Sequence, residues 1–308
     1  MNNLSIIMYH RVVDKSNTSF PGIKGLDINA FKRQLDYLVS NYSIIDINEV
    51  INYIKYSKEL PKNSCILTFD DGYKDHTEYV FKEILDRNLK ACFFPPVQPI
   101  VDRVLLDVDK IKLILACSKS IEKLLFEIKQ IYFNIGGEDH KWNKLWQTYG
   151  KPNRFDSKEI IFIKRLLQHA LPKAIRNNIC QTLFKKYVSN DESSIAENLY
   201  MSIQNIKDLV NEDMYIGSHC YSHPWLSKET KESQINEINQ SLNFLQMVGA
   251  SIKDWVICYP YGDYNSETIE ISKNRGAIAG LTTKVGLANL DSNDYLTLPR
   301  FDTNDFPQ

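Results

Sequence analysis

The sequence predicts an α/β fold of parallel strands joined by helices and interrupted by an all-helical insertion. Three observations predict it. Apolar, β-branched runs alternate with amphipathic helical patterns over about the first hundred residues, and the same rhythm returns after about residue 200. Between the two stretches, helical periodicity continues without a convincing strand.

In order, "LSIIMY" reads as a strand, "NAFKRQLDYLVSNY" as a helix, "SIIDI" as a strand and "NEVINYIKYSK" as a helix. "SCILTF", "HTEYVFKEILDRNLK" and "ACFFP" repeat strand, helix, strand. The C-terminal stretch offers "MYIGSH", the long helical pattern "KETKESQINEINQSLNFLQMVG", then "DWVICYP", "SETIEISKNRG", "AIAGLT" and "YLTLP". Such a strand set suits an open doubly wound sheet or a barrel, and in both, ligand chemistry sits at the carboxyl ends of the strands. The domains expected are therefore residues 1–99 with 200–308, and a helical insertion over 100–199. Trp142 and Trp146 in the insertion are expected to pack it onto the rest of the fold.

A chain of 308 residues with 43% hydrophobic and 24% charged residues can build a substantial core. Its 37 basic and 38 acidic residues leave a formal charge of −1, which provides no global basic surface for nucleic acid or anionic membrane. The N-terminal "MNNLSIIMYHRVVDK" has no basic leader region, and its apolar run is too short for a signal peptide or a membrane span. A cytoplasmic protein starting directly with a strand is expected. The six cysteines (Cys65, Cys92, Cys117, Cys180, Cys220, Cys258) are dispersed through apolar segments with no CxxC pair, as for reduced, mostly buried thiols.

The chemistry gathers at strand ends. In "SCILTFDDGYKDH" two adjacent acids, Asp70 and Asp71, follow a strand, where plain alternation would send them to opposite faces. In "GSHCYSHPWLS" His219 and His223 stand four apart, a spacing that on a helical turn lets both imidazoles reach one divalent metal. One carboxylate with two imidazoles leaves coordination positions open, which suits catalysis better than a closed structural site. "MYH" places His10 after a third strand, "CYPYG" places Tyr259, Pro260 and Tyr261 after a fourth, and "LPR" places Arg300 after a fifth.

The segments "TFDDG", "SHCYSHP" and "YPYGDYN" resemble the polysaccharide deacetylase family with the NodB homology domain, known as carbohydrate esterase family four. "MYHRV" with "LPR" resembles its permuted branch, which includes the poly-N-acetylglucosamine deacetylases. The resemblance implies a distorted (β/α) barrel of about seven strands. It implies Asp70 as general base, with Asp71, His219 and His223 as ligands of one divalent metal ion. It also implies the backbone N–H of Tyr261 as oxyanion donor, His10 as general acid, and Tyr259 and Pro260 at the substrate. Arg300 is expected to pair with Asp70. Two positions depart from the family: Cys220 stands where Ser or Thr is usual, and Cys258 where Arg is frequent.

The function expected is metal-dependent hydrolysis of an N-acetyl group from a carbohydrate, an intermediate of glycan assembly. Zinc is the first choice of metal, with cobalt or nickel as substitutes. A deformylase acting on a modified sugar is the enzymatic alternative, and an inactive carbohydrate-binding protein the alternative of another class. The insertion is expected to serve as lid, specificity element or dimer contact.

Overall fold

The protein is described by a computed structural model covering residues 2–18 and 24–307. It comprises two compact units: one of residues up to 17, Gly25–Val104 and from Ala196 onward, and one of Leu105–Ile195 with Thr18 and Lys24.

The first unit is built on strands buried along nearly their whole length. β1 (Asn3–Tyr9) lies parallel to β2 (Ser64–Asp70), β2 to β3 (Cys92–Phe94), and β3 to β4 (Tyr215–Ile216). Just past β4, Ser218 bridges in parallel to Ile257 of β5 (Trp255–Cys258), and β5 pairs with β6 (Ala277–Leu281). Leu281 bridges to Leu298, and β7 (Phe301–Asp302) returns in parallel to β1 at Ile7 and Met8. The pairing thus closes on itself, so the expected distorted (β/α) barrel of about seven strands is the fold.

Continuous burial explains why these strands read as unbroken apolar runs rather than alternating ones. Leu4 and Ile6, Ile66, Cys92 and Phe94, Val256 and Cys258, and Ala279 and Leu281 form one buried cluster. Their period of two places Thr68 and Asp70 on the same face of β2 as Ile66. The opposite face carries an aromatic ladder, Tyr9 stacked on Phe69 at 4.8 Å and Phe69 on Phe93 at 5.1 Å. Helix Ile28–Asn41 contributes Phe31 to that ladder, edge-on to Tyr9 at 5.3 Å. Its first turn is capped by the Asp27 side chain.

Several elements are shorter than the sequence suggests. "SIIDI" supplies only Ser43–Ile44, after which Asp46 and Glu49 form a capping box that starts helix Ile47–Tyr56. "YLTLP" is not a strand: Tyr295–Thr297 is a 3-10 turn, and only Leu298 reaches the sheet before Pro299 removes a backbone donor. The helix after β2 opens with a π turn, His76–Val80, before becoming α-helical over Phe81–Asp86.

The second unit is helical: Asp107–Cys117, Ile121–Asn134, Asp139–Tyr149, Lys158–Arg165 and Lys173–Tyr187. Trp142 is buried against Tyr132 and Phe162, and Trp146 meets Phe162 at 4.8 Å. Through these contacts the two tryptophans help build the core of the helical unit itself. All six cysteines are free, and all but the half-buried Cys117 are buried. Among the described residues, no helix is long and apolar enough to cross a membrane.

Candidate metal centre and active site

Strand alternation breaks where β2 ends. Asp70 is its last residue and faces the barrel interior, while Asp71 adopts a left-handed backbone with φ 70°. That single conformational change lets two adjacent carboxylates serve one mouth. Gly72 follows at φ 66°, and a Cβ there would lie 2.9 Å from Pro95 Cβ, so the turn requires glycine on both counts.

Asp71 Oδ1 lies 3.4 Å from His219 Nε2 and 3.3 Å from His223 Nε2, with all three side chains buried. The other oxygen, Oδ2, accepts a hydrogen bond from the Tyr73 hydroxyl at 3.1 Å. His219 is held from behind, its Nδ1 donating to the Cys258 carbonyl at 2.6 Å. With Nδ1 protonated, the Nε2 lone pair of a neutral ring points at a carboxylate oxygen, and the two repel unless a cation or a proton lies between them. The donor set therefore fits a divalent cation: one carboxylate, two imidazoles, and an orienting partner behind a ligand.

The histidine pair does not lie on a helical turn. Ser218 continues the strand, and Pro224 disfavours right-handed helical backbone at His223, which adopts φ 58°. Cys220, also left-handed at φ 62°, buries its thiol in a core with Leu226, Trp255 and Tyr259. Glu237 on helix Lys231–Met247 grips the loop, accepting from the N–H groups of Tyr221 and Ser222 at 2.9 and 2.8 Å and from the Ser222 hydroxyl at 2.6 Å. Sequence reasoning missed Glu237, because a glutamate on an amphipathic helix carries no signal of what it faces.

Arg300 is fully buried and forks onto Asp70, with Nη1 to Oδ1 at 3.0 Å and Nη2 to Oδ2 at 2.7 Å. Nη1 also reaches Thr68 Oγ1 at 3.1 Å, and Nε donates to the Thr282 carbonyl at 2.8 Å. Burial pushes the Asp70 carboxyl up, but the charge and hydrogen bonds of Arg300 outweigh it and hold the group below its ordinary range. His10 Nε2 stands 4.0 Å from Asp70 Oδ2, with its side chain 41% exposed. The geometry thus brings together His10, Asp70, Asp71, His219, His223 and Arg300.

Tyr261 joins this group from the turn Pro260–Gly262. Its ring meets the His223 ring at 4.5 Å and stacks on Trp225 at 4.6 Å, 16° from parallel. It is a non-glycine residue at φ 59°, a conformation costing about 1–3 kcal/mol that the surrounding structure must hold. Tyr259 and Pro260 are corrected as substrate contacts. Tyr259 is fully buried with its hydroxyl donating to the Leu296 carbonyl, and Pro260 is buried as well, so neither presents a side chain to a sugar.

Behind His10 lies a second buried pair. His76 Nε2 donates to the His10 carbonyl at 2.6 Å, and Arg11 Nε donates to Asp75 Oδ2 at 3.0 Å. Burial lowers His76 from 6.5 to about 4, and burial, partly offset by Arg11, raises Asp75 from 3.8 to about 7. The depressed His76 contributes stability that is lost as pH falls from about 6.5 toward 4. The raised Asp75 contributes stability that is lost as pH rises from about 4 to 7, so the two slopes oppose. His76→Gln retains a donor for the His10 carbonyl and leaves the Asp75 slope alone. Its unfolding free energy is expected to drop by about 3 kcal/mol between pH 4.5 and 6.5 relative to wild type, measured by urea titration. A variant that keeps the wild-type profile would mean that His76 titrates alike in the folded and unfolded chain, whereas a variant whose stability is flat over this range would mean that Arg11 keeps Asp75 ionised throughout.

The fold and the family match can be set beside known proteins. Residues 171–279 match the family model described as polysaccharide deacetylase, a span that includes His219, His223 and Tyr261 but not the acid pair. Among curated proteins, one named "Putative polysaccharide deacetylase YxkH", from Bacillus subtilis (strain 168), is 28% identical over 102 residues, which is 33% of this chain. The match spans only 36% of that relative's length.

Solved structures with a similar fold include the Streptococcus pyogenes deacetylase PplD in complex with acetate, at TM-score 0.59 and 15% identity, covering 97% of this chain and 92% of that one. IcaB from Ammonifex degensii gives 0.57 and 16%, covering 98% and 92%. A de-N-acetylase from Aggregatibacter actinomycetemcomitans gives 0.56 and 14%, covering 97% and 94%. The expected resemblance to the polysaccharide deacetylase family is borne out over residues 171–279.

Proposed function

We propose that the protein is a metal-dependent carbohydrate N-deacetylase that hydrolyses the acetamido group of a glycan-assembly intermediate to acetate and a free amine. The observation that carries this reading is Asp71 Oδ1 within 3.4 Å of two imidazole nitrogens, beside a second carboxylate locked onto a buried arginine. Asp71, His219 and His223 would hold one divalent cation, zinc first and cobalt or nickel in its place. When bound, such a cation polarises the amide carbonyl and makes water a better nucleophile.

The remaining work falls to side chains. Asp70, kept ionised by Arg300, takes the proton of the attacking water. The Tyr261 N–H donates to the carbonyl oxygen as it gains negative charge. His10, partly exposed at the mouth and 4.0 Å from Asp70, gives a proton to the nitrogen as the C–N bond breaks. All of these residues come from 1–99 and 200–308, and we assign no chemical role to the segment 100–199.

The test is acetate release from a panel of N-acetylated monosaccharides, nucleotide sugars and short oligosaccharides. Protein stripped of metal is compared with protein reloaded with zinc, cobalt or nickel. Release by reloaded protein alone is expected. Silence across the panel with metal bound would overturn the reading, and formate release from N-formyl analogues in place of acetate would reassign the acyl group.

A further inference from the structure

We propose that Trp225 is a positioning residue for the reaction: by stacking on Tyr261 it holds that residue in its left-handed conformation and so fixes where its backbone N–H points. The inference rests on the deacetylase reading, in which that N–H serves the developing oxyanion.

Two loops are cross-linked here at matched spacing. Trp225 and Ser227, two residues apart on the loop after His223, grip Tyr261 and Asp263, two residues apart on the turn after β5. One link is aromatic, the Trp225 and Tyr261 rings lying 4.6 Å apart and 16° from parallel. The other is polar, with Asp263 accepting from the Ser227 N–H at 2.7 Å and from its hydroxyl at 2.9 Å.

Further bonds hold the chain around Tyr261. Gly262 N–H donates to the Tyr259 carbonyl, Asp263 N–H to the Pro260 carbonyl, and the Thr283 hydroxyl to the Tyr261 carbonyl at 3.2 Å. The first closes a turn across Tyr261, and the other two hold its carbonyl side and the residues after it. The ring is held by Trp225 on its face and by His223 at 4.5 Å, 67° from parallel. A tyrosine does not populate φ 59° by its own preference, so the turn closed over it and a ring clamped on one side chain and set against a metal-ligand histidine together hold that backbone state. The same contact couples the oxyanion donor to the histidine loop, so the two halves of the site keep one spacing.

The arrangement separates positioning from folding. Removing the indole leaves the bonds between Asp263 and Ser227 and the core beneath them in place, so the Trp225→Ala variant is expected to fold and to bind zinc. What it loses is the preorganisation of one donor. Complete removal of such a donor costs about 10²- to 10³-fold in kcat. Partial release is expected to cost roughly tenfold.

The test compares wild type, Trp225→Ala, Trp225→Phe, Tyr261→Ala and the double alanine variant, each loaded with zinc, on the best substrate of the panel. It also includes a crystal structure of Trp225→Ala, read for the backbone angle at residue 261. Expected are a roughly tenfold fall in kcat with KM and zinc content unchanged in Trp225→Ala, and near-complete retention in Trp225→Phe. The double variant should be no slower than the slower single variant, and φ at 261 should leave the left-handed region. An unchanged kcat, a rise in KM alone as for a sugar-stacking platform, or loss of zinc would each overturn the inference. Failure of the deacetylase reading would show separately, as a wild type that releases no acetate while the angle at residue 261 still reports whether the clamp exists.

Discussion

Asp70→Asn is expected to lower kcat by about 10²- to 10⁴-fold while the protein continues to bind zinc, the range spanned by loss of a positioned general base. Asparagine preserves the shape of the carboxylate but cannot take a proton from water, and Asp70 is not among the three residues assigned to the metal. The substitution also leaves Arg300 buried without its counter-charge, and breaking a buried pair in this way costs about 3–5 kcal/mol. Thr68 and the Thr282 carbonyl still accept from Arg300, so the variant should fold with a lowered melting temperature.

Kinetics are therefore read well below that temperature, with zinc content measured on the same samples. Wild-type turnover at full zinc occupancy would remove Asp70 from the role of base. Because Arg300 holds the Asp70 carboxyl below its ordinary range, the acid limb of the wild-type kcat/KM profile should not arise from this group at mildly acidic pH.

The residues that meet at the mouth were legible because each stands at a strand end, and strand ends can be read from apolar runs and their terminators. Their conformations were not. Asp71, Cys220, His223 and Tyr261 all have positive φ, and each departs from what local propensity favours for its residue type. The spacing of His219 and His223 suggested a helical turn, yet Pro224 and the grip of Glu237 impose a loop that delivers both rings to one carboxylate by another route.

Tyr259 shows the opposite error. Its place in "CYPYG" suggested a substrate contact, but strand alternation at the end of β5 turns the side chain into the core with Trp255 and Ile257. Trp225 and Tyr73 touch the site through ring and hydroxyl contacts that only tertiary packing creates. The pairing of Arg300 with Asp70, by contrast, was expected from "LPR". In three dimensions Arg300, from the segment leading into β7, forks onto Asp70.

The second large effect concerns the choice of ligands, because among the described residues two sets of side chains lie close enough to hold one ion: Asp71 with His219 and His223, and Asp70 with His219 and Cys258. Electrostatics decides between them. Both oxygens of Asp70 already face the Arg300 guanidinium at 3.0 and 2.7 Å, so an ion there would sit against a fixed, buried positive charge. Asp71 Oδ1 instead faces two imidazole nitrogens, whose lone pairs a cation would satisfy.

Zinc at 100 times its dissociation constant is expected to stabilise the wild type by about 2.7 kcal/mol, seen as a rise in melting temperature. Asp71→Ala should abolish both that rise and zinc retention on dialysis, whereas Cys258→Ser should keep both. The reverse pattern, zinc lost with Cys258 and kept without Asp71, would move the metal to the other set. Asp70 would then be a ligand rather than a base, and its pairing with Arg300 would have to break for the ion to bind.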